Sequence, residues 1–337
     1  MTISSPCVSV VLPVYNMAPY IEAAITSILR QTFTDFELLV VDDCSSDDTV
    51  ARVQTIKDPR LRLLQNPVNL GRAGTDNAAL TQVRGEFFAK MDGDDICHPQ
   101  RLARQVAVLA QRPEINVVGS WMREFGASTY LHQYPTDPDL AQVLTLFTTP
   151  TGNPSVMLRT SLLREQGLHY DGSLRQTEDY DFFARYVRQL RIATLPLPLI
   201  QYRVPVKSTK LAVLAERAAD SDRVRTRLLT DWGLNPTPRE LHVHNTIAML
   251  ERPLGNIELA EVNAWLRKLL VFNEQQPWFE GAALRRGLGE RWFEVCSTHQ
   301  RPRLGSLRAF RSSPLARHFT APGAQQVKFW LKAGRYF

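Results

Sequence analysis

Three carboxylates lie within four positions of one another in the segment MDGDDICHP, which begins at residue 91. They are Asp92, Asp94 and Asp95, and they follow an apolar run at residues 87–89 that is typical of a buried strand. Like charges at this spacing raise one another's pKa unless a cation or hydrogen-bond donors compensate them. Mg²⁺ and Mn²⁺ prefer oxygen ligands and bridge carboxylates to a diphosphate. The segment therefore indicates either a metal site for a phosphorylated ligand or an acidic turn that caps the next helix.

A second acidic pair, Asp42 and Asp43, also follows an apolar run. Along the first ninety residues such runs alternate with helical patterns, which predicts an α/β fold with a mostly parallel, doubly wound sheet and flanking helices. Ligands bind such sheets beyond the carboxyl ends of the strands, so the position of both acidic clusters favours a binding role. The predicted strands cover residues 8–12, 36–41, 61–64 and 87–91.

A third acidic cluster begins with Glu178 and Asp179 and opens a predicted helix that runs to residue 187. Acidic side chains in a first helical turn are stabilised by the helix dipole, so charge matching is the alternative to a functional role here. Upstream, Gly152 and Asn153 introduce residues 154–158, an apolar segment typical of a further strand.

The composition is that of an ordinary globular protein, with 44% hydrophobic and 22% charged residues among 337. This length allows one large or two modest domains. We find no apolar run near the roughly 18 to 20 residues that span a bilayer, and no signal-peptide pattern. The cysteines have no metal-ligand spacing, so we expect free thiols in a reducing cytoplasm. They are Cys7, Cys44, Cys97 and Cys296.

Positive charge is concentrated late in the chain. Residues 1–203 carry a net charge of about −3 and residues 204–337 about +9. The stretch from Arg301 holds eight Lys or Arg and no acid. A basic surface indicates an anionic partner, and the lack of a nucleic-acid-binding motif favours the inner face of the cytoplasmic membrane, bound peripherally, over nucleic acid. A solvated basic face with inward-packed aromatics is the alternative. Those aromatics are Phe310, Phe319, Phe329, Trp330, Tyr336 and Phe337.

Six segments occur in an order and at spacings that together resemble glycosyltransferase family 2. They are VSVVLPVYN, DFELLVVDDCSSDDT, NLGRAG, MDGDDICHPQRL, GNPSVMLR and TEDYDF. The resemblance runs from about residue 8 to residue 203 and implies a GT-A fold, with a Rossmann-like, mostly parallel central sheet, in residues 1–206. We expect residues 207–337 to form a mainly helical, basic region that faces an acceptor or a membrane or serves oligomerisation.

The resemblance assigns the nucleotide site to residues after the first, second and fourth strands. Pro13 and Tyr15 would line the pocket for the base, and Asp43 would accept a hydrogen bond from the base edge, with Asp42 beside it. A carboxylate can accept a hydrogen bond from the ring N–H of uracil or thymine, but it has no donor for a base edge that presents an acceptor. Asp92 would contact the ribose, or the metal through water.

The resemblance also implies the reacting groups. Asp94 would bind Mg²⁺ or Mn²⁺ directly, and Asp95 would orient Asp94, cap the next helix or contact the acceptor or the sugar. Asp179 matches the catalytic base, which takes the proton of an acceptor hydroxyl as that hydroxyl attacks the anomeric carbon with inversion. Glu178 would position Asp179 or the acceptor, and Asn153 is a candidate contact to the acceptor or the sugar.

The predicted activity is metal-dependent transfer of a hexosyl or N-acetylhexosaminyl group from a nucleotide diphosphate sugar, a UDP-sugar by the argument above. The acceptor would be a saccharide or lipid-linked saccharide of surface polysaccharide or lipopolysaccharide assembly. The alternatives are a sugar-nucleotide-binding protein without catalysis and a nucleotidyltransferase. A nucleotidyltransferase would usually carry a glycine-rich, basic signature at residues 13–16, where this chain reads PVYN.

Two positions depart from the family pattern. Asp76 stands where an arginine is often found, and Arg72 in the preceding turn is a candidate substitute. Pro205 stands where many members carry a histidine near the metal, so no histidine ligand is assigned.

Overall fold

The structure, a computed structural model, describes residues 5–205, 211–250, 252–299 and 304–319, together with residues 323 and 329. Its chain divides into two units. We call Met1–Ala141 and Thr149–Asp220 the sheet unit, and Gln142–Thr148 and Ser221–Phe337 the helical unit. The domain boundary predicted at residues 206 and 207 lies outside the described residues.

Nine strands form one sheet in the described part of the chain: β1 (Val8–Val14), β2 (Phe36–Asp42), β3 (Leu61–Gln65), β4 (Phe87–Lys90), β5 (Ile96–Cys97), β6 (Val117–Gly126), β7 (Leu131–His132), β8 (Met157–Arg159) and β9 (Ile192–Val204). Their order is β3-β2-β1-β4-β8-β6-β9-β5, and β7 pairs with β6. The first four strands are mutually parallel, as are β6 and β9, whereas β8, β5 and β7 are antiparallel to their neighbours.

The predicted α/β architecture is confirmed, with a sheet that is mixed beyond β4. The strand predicted at residues 154–158 begins later than expected. Asn153–Ser155 forms a 3₁₀ turn instead, and β8 starts at Met157. Proline at the second position of that turn has no N–H to donate to a strand ladder, which explains the delay.

The buried strands are continuous runs of apolar, often β-branched residues, because both faces of the sheet are covered. In β1, Val10 and Leu12 pack into one hydrophobic core, and Val11 between them packs into a second core on the opposite face. The helices that accompany the sheet are α1 (Ile21–Leu29), α2 (Thr49–Thr55), α3 (Gly71–Leu80), α4 (Arg101–Gln111), α5 (Pro138–Leu144), α6 (Thr160–Glu165) and α7 (Glu178–Arg185).

The helical unit contains a buried histidine with hydrogen bonds at both ring nitrogens. His244 Nδ1 accepts a hydrogen bond from Trp265 Nε1 at 3.1 Å, and His244 Nε2 lies 2.9 Å from the carbonyl oxygen of Leu146. Because an indole nitrogen only donates, the ring must be neutral with its proton on Nε2. Burial, with the nearby charge of Arg225, lowers the pKa of His244 to about 3. After residue 210 the described α-helices are α8 (Leu211–Asp231), which begins in the sheet unit, α9 (Pro238–Ala248), α10 (Leu259–Gln275), α11 (Gly281–Glu294) and α12 (Leu304–Ser312).

Candidate active site

The ends of β1 and β2 bring the predicted base-binding residues together. Pro13 lies opposite Val41 and Val14 lies opposite Asp42 in the parallel register. Beyond the strands, the backbone N–H of Asp43 donates to the carbonyl of Val14 at 2.8 Å. Pro13, Asp42 and Asp43 therefore share the carboxyl edge of the sheet, where ligands of such folds bind.

The loop after β1 is fixed by side chains from the loop after β2. Asn16 has a left-handed backbone with φ of 53°, its N–H donates to Ser45 Oγ at 2.9 Å, and its side-chain oxygen accepts from the Ser46 N–H at 2.9 Å. The preceding residue, Tyr15, is 47% exposed. A fixed backbone with an exposed ring is the arrangement expected of a residue that contacts a ligand.

Asp43 caps the start of α3. Its Oδ1 accepts from the Asn66 side chain and from the Leu70 N–H, both at 2.8 Å, and its Oδ2 accepts from the Gly71 N–H at 2.9 Å. Gly71 has a φ of +71°, which favours glycine there. Each carboxylate oxygen can accept about two hydrogen bonds, so Oδ2 retains capacity for one more donor.

The acidic segment after β4 is a turn held by β9. The Asp95 N–H donates to the Asp92 carbonyl at 3.3 Å and closes the turn. Arg203 binds it twice, because its N–H donates to Asp95 Oδ1 and its Nε donates to the Asp94 carbonyl, both at 2.8 Å. Burial and then the charge of Asp92 raise the pKa of Asp94, and they raise that of Asp95 to about 9.

Arg203 is itself in contact with two aromatic rings. Its guanidinium carbon lies 4.5 Å from the ring centroid of Tyr20 and 4.3 Å from that of Phe125. Cation–π contacts with both rings fix the side chain that supports the acidic turn. The sequence interpretation assigned no role to Arg203.

At the start of α7 the predicted base and its neighbour have different surroundings. Asp179 is half-buried, and its Oδ1 accepts from the Tyr180 N–H at 2.7 Å. Glu178 is 3% exposed. Burial and then the charge of Asp179 raise the pKa of Glu178 to about 7, while Lys90 and Arg72 act in the opposite direction.

Arg72, in the first turn of α3, connects the acidic segments. The residue is exposed, although desolvation of its guanidinium acts to lower its pKa. The charges of Asp92, Glu178 and Asp179 act in the opposite direction, and the net result is a raised pKa. These carboxylates must lie near one guanidinium to have this effect. Arg72 directly follows the residues that Asp43 caps. The segments centred on Asp43, Asp94 and Asp179 thus all interact with the start of α3, the first through hydrogen bonds and the other two through the charge of Arg72.

Several predicted site residues carry a buried oxygen atom without a hydrogen-bond partner among the described residues. Buried polar atoms in folded proteins are nearly always paired, so unpaired acceptors on predicted site residues are candidate partners for donors or cations of a ligand. The oxygens are Asp42 Oδ1, Asp95 Oδ2, Asn153 Oδ1 and Glu178 Oε2.

The acidic turn also fits a divalent ion, although the described residues hold no group of three or more His, Cys, Asp and Glu that could bind a metal alone. Mg²⁺ is usually held by one or two carboxylates together with substrate phosphates, so such a group is not required. Asp92 and Asp94 are half-buried, and Asp92 raises the pKa of Asp94. A cation beside them would offset this repulsion.

The structure explains one of the two departures from the family pattern and locates the other. Asp76 is fully buried and forms an ion pair with the buried Lys90 of β4, whose ammonium nitrogen lies 4.9 Å from the ring centroid of Tyr170. The acid at position 76 therefore neutralises a lysine inside the fold. Pro205 is exposed and directly follows β9.

Two solved structures share this fold. Residues 1–349 of TarS from S. aureus, in complex with UDP-GlcNAc, match with a TM-score of 0.56 at 20% identity, over 90% of this chain and 89% of that one. The mannosyltransferase PcManGT from Pyrobaculum calidifontis, in complex with GDP-Man and Mn²⁺, matches with a TM-score of 0.53 at 21% identity, over 82% of this chain and 83% of that one. The class defined by the fold is that of the GT-A proteins.

Sequence comparison gives the family. The model of Glycosyl transferase family 2 matches residues 9–169. The putative glycosyltransferase EpsE of Bacillus subtilis is 32% identical over 195 residues, which are 55% of this chain and 68% of EpsE. An uncharacterized glycosyltransferase of Haemophilus influenzae is 28% identical over 260 residues, 73% of this chain and 80% of that protein. The chain belongs to glycosyltransferase family 2 and is an enzyme that transfers sugars.

A further relative is similar over a shorter region. The UDP-Glc:alpha-D-GlcNAc-diphosphoundecaprenol beta-1,3-glucosyltransferase WfgD of Escherichia coli is 42% identical over 102 residues. These residues are 30% of this chain and 40% of WfgD.

Proposed function

We propose that this glycosyltransferase moves a sugar from a UDP-sugar to a hydroxyl group of a saccharide acceptor, with inversion at the anomeric carbon and with Asp179 as the base. The observation that carries the proposal is the shared carboxyl edge of β2 and β4, where Asp43 and the acidic turn follow strands that both pair in parallel with β1, while the charges of Asp92 and Asp179 act on Arg72 beside them. A nucleotide diphosphate and a nucleophilic hydroxyl need to meet in such a place, because one requires cations and the other requires a proton acceptor.

The nucleotide base would lie between Pro13 and Tyr15 and the Asp42–Asp43 pair. The remaining acceptor capacity of Asp43 Oδ2 suits the ring N–H of uracil, and the exposed Tyr15 ring offers a stacking surface. UDP-GlcNAc bound to TarS and UDP-Glc in the name of WfgD support uridine as the nucleoside. The GDP-Man complex of PcManGT makes guanine the alternative.

Asp94 would hold Mg²⁺ or Mn²⁺, with Asp92 contacting the ribose or the ion through water. The bound ion would neutralise charge on the diphosphate leaving group. Arg72 adds a protein cation on the same side, because it already interacts with Asp92. Arg203 keeps the acidic turn in place through its two hydrogen bonds and its two aromatic contacts.

In the reaction, Asp179 accepts the proton of the acceptor hydroxyl while the hydroxyl oxygen forms a bond to the anomeric carbon. The bond between that carbon and the diphosphate oxygen breaks on the opposite face, and UDP leaves. Glu178 has a pKa raised to about 7 and can donate a hydrogen bond in its protonated form, which suits a residue that positions the acceptor or Asp179. The unpaired amide oxygen of Asn153 is a further contact for a sugar hydroxyl.

We propose surface-polysaccharide or lipopolysaccharide assembly as the setting and a saccharide or lipid-linked saccharide as the acceptor. The diphosphoundecaprenol acceptor in the name of WfgD supports this class. Among the described residues, no helix is both long enough and apolar enough to cross a membrane. We propose that the enzyme works in the cytoplasm, at the inner face of the membrane, and that residues 207–337 face the acceptor or membrane or serve oligomerisation.

The test is UDP release from a panel of UDP-sugars with Mg²⁺ or Mn²⁺ and a saccharide acceptor, comparing the wild type with Asp179→Asn. Asparagine keeps the acceptor for the Tyr180 N–H but cannot take a proton, so we expect UDP binding to persist and transfer to fall by about 10²- to 10⁴-fold. Glu165→Gln, an exposed change of the same charge on α6, is the matched control. Transfer by Asp179→Asn equal to that of the control would remove Asp179 from the mechanism. GDP-sugars are included in a second panel, because turnover of GDP-sugars alone would reject uridine.

A further inference from the structure

Three ring-bearing side chains alternate along the segment that contains β7. Tyr130, His132 and Tyr134 stand at every second position around the two residues of β7, and their ring contacts place the three side chains next to one another. The rings of Tyr130 and His132 are 5.0 Å apart and perpendicular, and those of His132 and Tyr134 are 6.4 Å apart and nearly parallel, at 12°. We call these three residues the aromatic row. Tyr130 at its outer end is 63% exposed.

The inner end of the aromatic row lies beside the candidate active site. Tyr134 is close enough to Asp179 that this carboxylate, after burial, is the largest influence raising the pKa of the phenol. The ring of Tyr202 meets that of His132 edge to face at 6.2 Å, and burial followed by Asp92 raises the pKa of Tyr202. The row therefore runs from the predicted base and the acidic turn toward solvent.

Neighbouring groups hold the aromatic row in position. Glu124 Oε1 lies 2.8 Å from His132 Nε2, and the Glu124 N–H donates to the Tyr130 carbonyl at 2.8 Å. Trp121 Nε1 donates to the Tyr134 carbonyl at 3.1 Å. Rings fixed before binding lose little conformational entropy on contact with a ligand.

We propose that the aromatic row binds the saccharide of the acceptor, with pyranose rings stacked on Tyr130 and His132 and the sugar that bears the attacking hydroxyl beside Tyr134. A pyranose presents an apolar face of C–H groups, which packs against the electron-rich face of an aromatic ring, and polar edges, which the phenol hydroxyls and Glu124 can bind. The successive ring separations of 5.0 and 6.4 Å make the row longer than one pyranose ring, so we expect the acceptor to have at least two sugar residues. This inference rests on the proposed function, because Asp179 defines the inner end of the row.

The experiment measures saturation transfer in NMR from the protein to cellobiose and to N,N′-diacetylchitobiose, with UDP and Mg²⁺ present. Glucose and N-acetylglucosamine serve as single-ring probes. We expect at least one disaccharide to bind more tightly than its monosaccharide. Tyr130→Ala should weaken that binding by at least about fivefold, whereas Tyr130→Phe, which keeps the ring, should preserve it.

Tyr15→Ala is the matched control, because it removes an exposed ring on the proposed nucleotide side. We expect Tyr15→Ala to weaken UDP and spare the disaccharide, and Tyr130→Ala to do the reverse. Disaccharide binding that is equal in Tyr130→Ala and the wild type, or absent from the wild type, would overturn the inference. A wild type that binds disaccharide through Tyr130 but releases no UDP from any UDP-sugar would contradict the proposed function and leave the saccharide site standing.

Discussion

At the scale of single residues, the site depends on charges that compensate one another away from water. Lys90 and Asp76 are almost fully buried, and their ion pair lies between β4 and α3, directly before the acidic turn. Burial disfavours the charge of Lys90, but Asp76, together with Tyr170, Asp92 and Glu178, raises its pKa, so the ammonium persists. One buried cation thus stabilises several of the acids.

Removing this cation should destabilise the fold far more than removing a surface lysine. Lys90→Met leaves Asp76 buried without its partner, and we expect a loss of about 3–5 kcal/mol in the free energy of unfolding, measured by urea denaturation. Lys268→Met is the matched control, because Lys268 pairs with Glu240 while 42% exposed and should cost less than about 1 kcal/mol.

The double variant Lys90→Met/Asp76→Leu separates loss of the pair from loss of packing. It should recover most of the stability, since neither charge then remains buried alone. Equal losses in Lys90→Met and Lys268→Met would contradict this account of Asp76.

Sequence reasoning at this scale found the acids but not the residues that hold them. Asp92, Asp94 and Asp95 were recognisable because they are close in sequence and follow a strand. The Arg203 N–H donates to Asp95, which lies 108 positions earlier in the sequence. Lys90 of β4 pairs with Asp76 of α3. Contacts of this kind depend on the packed sheet and have no local pattern. The aromatic row did have one, the alternating rings of YLHQY, which was overlooked.

At the scale of elements, the parallel half of the sheet was predictable, whereas the shortest strands and the pairing of the mixed half were not. The runs that became β1, β2 and β4 are continuous and β-branched or aromatic, so their burial on both faces follows from composition. By contrast, β5 and β7 contain two residues each, too few for any periodicity. The long pairing of β6 with β9 shifts register around Trp121, which sequence alone does not indicate.

The connection into β4 passes so close to β1 that only glycine fits. A Cβ on Gly85 would lie 2.5 Å from the backbone nitrogen of Ser9 and 2.8 Å from the carbonyl carbon of Val8. The Gly85 N–H donates to Ser9 Oγ at 2.8 Å, which fixes this approach. Neither backbone atom can move without disturbing the strand that leads to Pro13.

Gly85→Ala should therefore destabilise the sheet unit by about 1–3 kcal/mol, the usual cost of overpacking. Gly172→Ala, where an added Cβ meets nothing within 4 Å, should change stability by no more than about 0.5 kcal/mol. Thermal denaturation of the two variants beside the wild type makes the comparison. A Gly85→Ala protein as stable as Gly172→Ala would show that the strand adjusts at no cost.

At the scale of the whole molecule, the basic C-terminal stretch has aromatic rings that pack together and basic side chains that are exposed. Phe310, Phe319 and Phe329 pack around Phe293, with ring centroids 5.4–5.7 Å from it. These three aromatics follow the inward-packed alternative, while Arg308 and Arg317 are exposed. The other aromatics of the stretch, Trp330, Tyr336 and Phe337, lie outside the described residues.

This arrangement changes how membrane association should be tested. Truncation near Arg301 would remove the rings that pack on Phe293 and expose an apolar surface that could bind vesicles non-specifically. Reversing charge at Arg308 and Arg317 leaves the aromatic cluster intact and removes only electrostatic attraction. Each basic side chain near an anionic leaflet contributes about 1 kcal/mol, so we expect Arg308→Glu/Arg317→Glu to weaken binding to phosphatidylglycerol-containing vesicles by tenfold or more, at about 0.1 M salt.

Arg267→Glu/Arg285→Glu is the control, because it makes the same change in net charge at exposed positions on α10 and α11. Vesicle flotation should show this control bound like the wild type, and higher salt should release both, since the attraction is screened within a Debye length. Equal losses in the two double variants would mean that net charge alone drives binding. Binding of Arg308→Glu/Arg317→Glu at the wild-type level would contradict a membrane-facing role for α12 and the turn that follows it.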